Sequence, residues 1–273
     1  MTRAGNRTSL PLLLAVVGLV TFAVLPGSLI PAATLLFCPG WGLLRLVSVV
    51  DRAFFVCGAS LCGSTLVLAG LTLAARRLGW SPEHLALATH GGAVLLCFVG
   101  RLRLAAYDRW LGRQPAHPEP MPLWPRRSAL CLAIVSLSVL LVAVVIDPFH
   151  PAAGSQLFET ALSARQWLDH ASPVATTLGA GGFHGAAAAG LAAGSGSHVL
   201  VTSALLSLSA LAAALLLVAE AICRLWGNRG GAGAMAALLL GLNPLVGLTL
   251  LATEAGYPAG EQLASSLDPR LAT

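Results

Sequence analysis

Long apolar runs alternate with short clusters of arginine, proline and glycine, and each run approaches the roughly 20 residues a helix needs to cross a hydrocarbon core. Seven crossings are predicted. The first two, Ser9 to Leu25 and Ser28 to Leu44, are joined by a tight turn at Pro26-Gly27, and the second is interrupted by Pro31 and by Pro39-Gly40. The third covers Ala53 to Ala75 and the fourth Leu85 to Leu104, where Arg101 and Arg103 can extend back toward water. Ser128 to Ile146, Val199 to Cys223 and Gly233 to Thr253 complete the set, the last kinked at Asn243-Pro244. The pattern predicts an all-α, polytopic membrane bundle.

Composition sharpens that reading by exclusion. Of 273 residues 56% are hydrophobic and 10% charged, with a mean hydropathy of +0.81, whereas soluble domains carry about 25% charged residues. A water-soluble enzyme is excluded. All 16 basic residues are arginine, which fits a GC-rich bacterial gene. They lie singly or in pairs between apolar runs, the distribution that orients membrane proteins rather than one that grips nucleic acid. With the N-terminus in the cytoplasm of a bacterial plasma (inner) membrane, twelve of the sixteen fall inside, and only Arg76, Arg77, Arg165 and Arg270 fall outside. Arg3 and Arg7 then precede a retained signal anchor, because Val24-Leu25-Pro26 is no small-residue cleavage site.

This orientation divides the chain into an N-terminal four-helix membrane region, 1–104, a cytoplasmic Arg/Pro-rich linker, 105–127, and a C-terminal membrane region, 128–273. The last contains an extracytoplasmic loop, 147–198. Within the loop, Ser155 to Asp169 reads as an amphipathic helix lying in the membrane plane. Its apolar face holds Leu157, Phe158, Ala161, Leu162, Ala164 and Leu168, with Trp167 at headgroup depth. The Gly-rich run Leu178 to Gly185 matches no phosphate-binding motif and is expected to be a flexible turn.

Candidate chemistry gathers on the same loop. Asp147 ends the fifth helix; a carboxylate held there and partly shielded from water suits a general base, although Asp-Pro is also an ordinary helix stop. His150 and His184 lie nearby in sequence, and both are also explained as interfacial polar groups. His90, inside the fourth helix, is expected to be neutral and hydrogen-bonded within the bundle. Glu220 with Arg224 reads as a local ion pair. The six cysteines have no zinc-site spacing and read as small apolar core residues, so neither metal nor cofactor is implied.

The order of these parts resembles the start of the catalytic membrane module in polyprenyl-phosphate-dependent glycosyltransferases of the GT-C type. The resemblance rests on a helix ending in Asp147 with His150 close behind, an interfacial helix finishing Trp167-Leu-Asp-His170, and Gly182-Phe-His184-Gly before an Ala-rich segment. A helix ending at Arg224 and another containing Leu242-Asn-Pro244 follow. Two departures stand out: Ala180-Gly-Gly-Phe-His replaces the Tyr-Pro-x-Gly-Phe-His-like run of the family, and the family continues through several more helices. The resemblance implies transfer of a sugar from a polyprenyl phosphate to an envelope acceptor on the outer face, with Asp147 as base. His150, Arg165 and His184 would contact the substrate, membrane lipid would surround the bundle, and a second membrane subunit would complete the fold. One carboxylate suffices, because the phosphate leaves without a strong acid. The competing expectation is a non-catalytic scaffold or assembly partner in envelope biogenesis.

Overall fold

The structure, a computed structural model, describes residues 4–50, 52–111, 156–169 and 180–226. These form seven α-helices: α1 (Ala4–Val24), α2 (Leu29–Val47), α3 (Ala53–Leu78), α4 (Pro82–Leu111), α5 (Gln156–Leu168), α6 (Ala180–Ser195) and α7 (Val199–Trp226), with no strand among the described residues. Four of them, α2, α3, α4 and α7, are long and apolar enough to cross a membrane. The chain is a helical membrane protein. The fifth and seventh predicted crossings lie outside the described residues, as does most of the predicted linker, whose first residues are carried into α4.

The most consequential correction concerns the second crossing. Pro39 does not break α2, which runs unbroken from Leu29 to Val47. A mid-helix proline disturbs the hydrogen-bond ladder, and in lipid any freed backbone group needs a protein partner. The neighbouring helix provides one: the Gly40 N–H donates to Ser64 Oγ of α3 at 2.8 Å. Far from marginal, α2 is the centre of the bundle. Its Leu35, Cys38 and Trp41 are buried, and α3 and α4 flank it at backbone distance.

That approach depends on missing side chains. A Cβ on Gly63 would meet Gly40 Cα at 3.0 Å, and one on Gly100 would lie 2.9 Å from Gly42 O. Apolar burial alone does not drive helices together in lipid, so close backbone packing supplies the attraction. Cys97 adds a contact by donating its thiol to the Cys38 carbonyl at 3.1 Å. Both sulfurs are buried, as expected, whereas Cys62 is exposed.

The two ends of the bundle differ. At one end, Gly27 and Gly196 adopt positive φ in the turns before α2 and α7. These turns interlock through the Gly27 N–H, which donates to Ser195 O at 2.8 Å. At the other end, buried Arg45 donates to Val50 O at 2.8 Å, and Arg103 donates to the carbonyls of Arg45 and Leu46. Arg52 reaches Glu220 on α7 at 3.1 Å, so an arginine from another helix engages this carboxylate, while the side chain of Arg224, its expected local partner, lies outside the described ones.

The Gly-rich run is a further correction. From Ala180 onward it is helical, and α6 passes through the interior with Ala186 to Ala189 and Leu191 fully enclosed. A Cβ on Gly190 would crowd Thr72 and Leu68 of α3, while one on Gly194 would crowd Leu35 of α2 and Thr89 of α4. Glycine and alanine here make a helix thin enough to fit between the spans, which overrides the weak helix preference of glycine.

Candidate functional site

The α3–α4 turn, the α1–α2 turn and the α6–α7 turn share the end at which α5 docks. Gly79, with φ of 66°, stops α3 by directing its N–H back to Ala75 and Arg76. Ser81 then starts α4: its Oγ accepts the His84 N–H at 3.3 Å and lies 2.7 Å from His84 Nδ1. Pro82 occupies the first helical position, where its missing N–H costs nothing. Arg76 and Arg77 fall in the last turn of α3, where the helix dipole favours positive charge.

Helix α5 packs through part of the expected face, with Ala161 and Ala164 inward as expected, but rotated toward Trp167 and away from Leu162. Ala161, Ala164 and Trp167 are buried, whereas Leu162 is half exposed. The physical reason is the fit to α6, because a Cβ on Gly185 would lie 3.3 Å from Ala164 N and collide with the Ser163 side chain. Once Ala161 and Ala164 face α6, Trp167 follows on the same side and is carried inward. It is 5% exposed, with the Arg76 guanidinium 4.6 Å from its ring centroid. A water-soluble thiol reagent is therefore expected to modify Gln166→Cys many times faster than Ala164→Cys. Equal rates would show that α5 does not dock through this face.

Around that contact is a small cleft, partly open, lined by Thr72, Arg76, Trp80, Ser81, Trp167 and Leu168 among others. Sequence reasoning missed it. The available signal was Arg76-Arg77, the pair that departs from the arginine asymmetry of the chain.

The residues singled out in the sequence are placed as follows. Arg165 projects from the exposed side of α5 and engages Asp169 one turn later at 3.4 Å. His184 lies near the start of α6 with the Phe183 ring at 6.3 Å, and its Nε2 is enclosed with no partner among the described residues. Burial pushes its imidazole below the ordinary histidine value and so favours the neutral ring. Helices α5 and α6 pack together, yet Arg165 points to solvent while His184 is enclosed; the structure does not assemble them into one group. Asp147 and His150 lie outside the described residues.

His90 is hydrogen-bonded within the bundle, as expected. It is 1% exposed, its Nε2 lies 2.7 Å from Gly194 O, and Phe22 of α1 stacks at 5.0 Å. A carbonyl only accepts, so Nε2 carries the proton and ties α4 to α6. Among the described residues no three His, Cys, Asp or Glu side chains converge as metal ligands. Comparison with protein families, curated proteins and solved structures finds no match for the chain.

Proposed function

We propose that this protein of a bacterial plasma membrane transfers a sugar from a polyprenyl-phosphate donor to an envelope acceptor at the outer face. The observation that carries the reading is the α5–α6 unit: an amphipathic helix is docked beside the α3–α4 turn, and a buried helix leads from it into the bundle. Such a unit sets polar side chains beside a lipid-embedded core, as transfer from a lipid-linked donor requires. It sits at the arginine-poor end. Arg45, Arg52, Arg101, Arg103 and Arg109 belong to the opposite end of the spans, which supports a cytoplasmic N-terminus. On that orientation Gln166→Cys reacts with an impermeant reagent from outside intact cells.

In the proposed chemistry, Asp147 removes the acceptor hydroxyl proton as the acceptor oxygen attacks the anomeric carbon and the polyprenyl phosphate departs with the bonding electron pair. Arg165, freed from Asp169, and His150 contact the donor phosphate, while His184 contacts the substrate from the start of α6. The test uses the full chain in proteoliposomes with polyprenyl-phosphate sugars and envelope acceptors. Transfer is expected, and Asp147→Asn, which keeps the size but not the base, is expected to slow it about 10²-fold or more with folding intact. Undiminished transfer by Asp147→Asn removes that residue from the mechanism.

A second reading, a non-catalytic scaffold in envelope biogenesis, is favoured by the dense packing of α2 against α3 and α4, where glycines bring backbones into contact. Absence of transfer with every donor, also with a co-expressed second membrane subunit, would make it the better account.

A further inference from the structure

We propose that the cleft between the α3–α4 turn and the end of α5 binds the phosphate of an anionic bilayer lipid. This inference needs only membrane embedding and stands apart from the transfer reading. The first support is position. The apolar windows of α3 and α4 end at Leu78 and begin at Pro82, so the cleft lies where hydrocarbon gives way to headgroups. Trp80 and Trp167 are the residue type that favours this depth, having an apolar ring and one polar N–H.

The second support is the donor set. Trp167 lines the cleft, is 5% exposed, and its Nε1–H has no acceptor among the described residues. A buried indole N–H normally finds an acceptor, and leaving one unmet carries a desolvation cost. Arg76, beside it, adds a guanidinium whose plane is steadied against the indole face at 4.6 Å. The N-terminal turn of α4 contributes the positive end of a 30-residue helix, and exposed Arg77 adds charge nearby. Glu83, also exposed in the first turn of α4, is the one carboxylate of that helix end. A phosphate matches these donors because it is negatively charged and offers several acceptor oxygens.

The third support distinguishes a lipid from a soluble anion. Leu78 and Leu87, on the same ends of α3 and α4, are 63% and 62% exposed. They offer apolar surface at the level where acyl chains begin. A free phosphate would gain nothing from them.

The experiment uses the full chain released from bilayers of phosphatidylcholine containing phosphatidylglycerol, with retained lipid read by native mass spectrometry. Wild type is expected to hold one phosphatidylglycerol in preference to phosphatidylcholine. Arg76→Gln is expected to weaken this retention about tenfold, and Trp167→Phe, which keeps a ring under Arg76 but removes the N–H, about threefold. Melting temperature serves as the folding control. If Arg76→Gln does not fold, Trp167→Phe decides alone. Wild-type retention by the folded variants, or equal retention of the two lipids, overturns the proposal. Displacement of phosphatidylglycerol by millimolar inorganic phosphate overturns the lipid assignment in favour of a soluble anion.

Discussion

Replacing Gly42 with valine is expected to unfold the bundle under conditions in which the unmodified chain stays intact. A Cβ at this position would lie 2.6 Å from Leu96 O and 2.7 Å from Cys97 N, both backbone atoms of α4. Neither can rotate aside. Relief requires α2 and α4 to separate, which also strains the Cys97 to Cys38 contact and moves Gly100 away from the Gly42 carbonyl. The expected loss is about 3 kcal/mol or more, at the upper end of overpacking effects because the obstruction is backbone. Gly91, in the middle of α4, is the internal control, since a Cβ there meets nothing within 4 Å. Gly91→Ala is expected to be neutral or to gain up to about 1 kcal/mol from helix propensity. Thermal unfolding in detergent, followed by exposure of buried Cys38 and Cys97 to a thiol-reactive fluorophore, measures both. Equal melting of the two variants would mean that α2 and α4 are not in backbone contact.

Arg45→Ala is expected to cost about 2 to 4 kcal/mol, an unusual penalty for removing an arginine near a helix end. Arg45 is 3% exposed, stacks on Trp41 at 5.5 Å and donates to Val50 O at 2.8 Å. Truncation leaves that carbonyl without its donor and opens a void beside Trp41. Arg103 still reaches the carbonyls of Arg45 and Leu46, because it bonds to backbone. The damage therefore concentrates in the connection from Ser48 to Arg52. Arg45→Lys, with a point charge in place of a planar fork, is expected to fall between wild type and alanine. Faster proteolysis within that connection, together with the ordered loss of melting temperature, is the readout. A change within about 0.5 kcal/mol for alanine would show that Arg45 merely extends to water along the helix surface.

Pro39-Gly40 and the Gly-rich run show what a single segment leaves open. Apolar length identified α2, α3, α4 and α7 as membrane helices, and their N-terminal starts were placed within a few residues. It treated Pro39-Gly40 as a break because a single helix has no answer to a mid-helix proline. The answer is Ser64, 24 positions away on α3. The Gly-rich run reads as a turn for a similar reason: glycine disfavours an isolated helix, and only the narrow space between spans makes its small volume an advantage.

The candidate site divides in the same way. The amphipathic character of α5 was visible in its spacing, and Arg165 on its polar side is exposed as that spacing implies. Its rotation is not visible, because Ala161 and Ala164 of α5 and Gly185 of α6 set the approach and thereby turn Trp167 inward to Arg76. The pairing joins residues that are distant in the chain.

By itself, the sequence determined what depends on one segment at a time: the membrane as solvent, the helical class, the position of α2, α3, α4 and α7, and the burial of His90. Each follows from transfer of side chains and backbone into hydrocarbon, which is additive along the chain. Only the tertiary structure decided which helix is central, how α6 enters the bundle, and that Arg76, Trp80 and Trp167 share one cleft. Those outcomes depend on contact distances between segments, and close packing changes them through single atoms that no local pattern records.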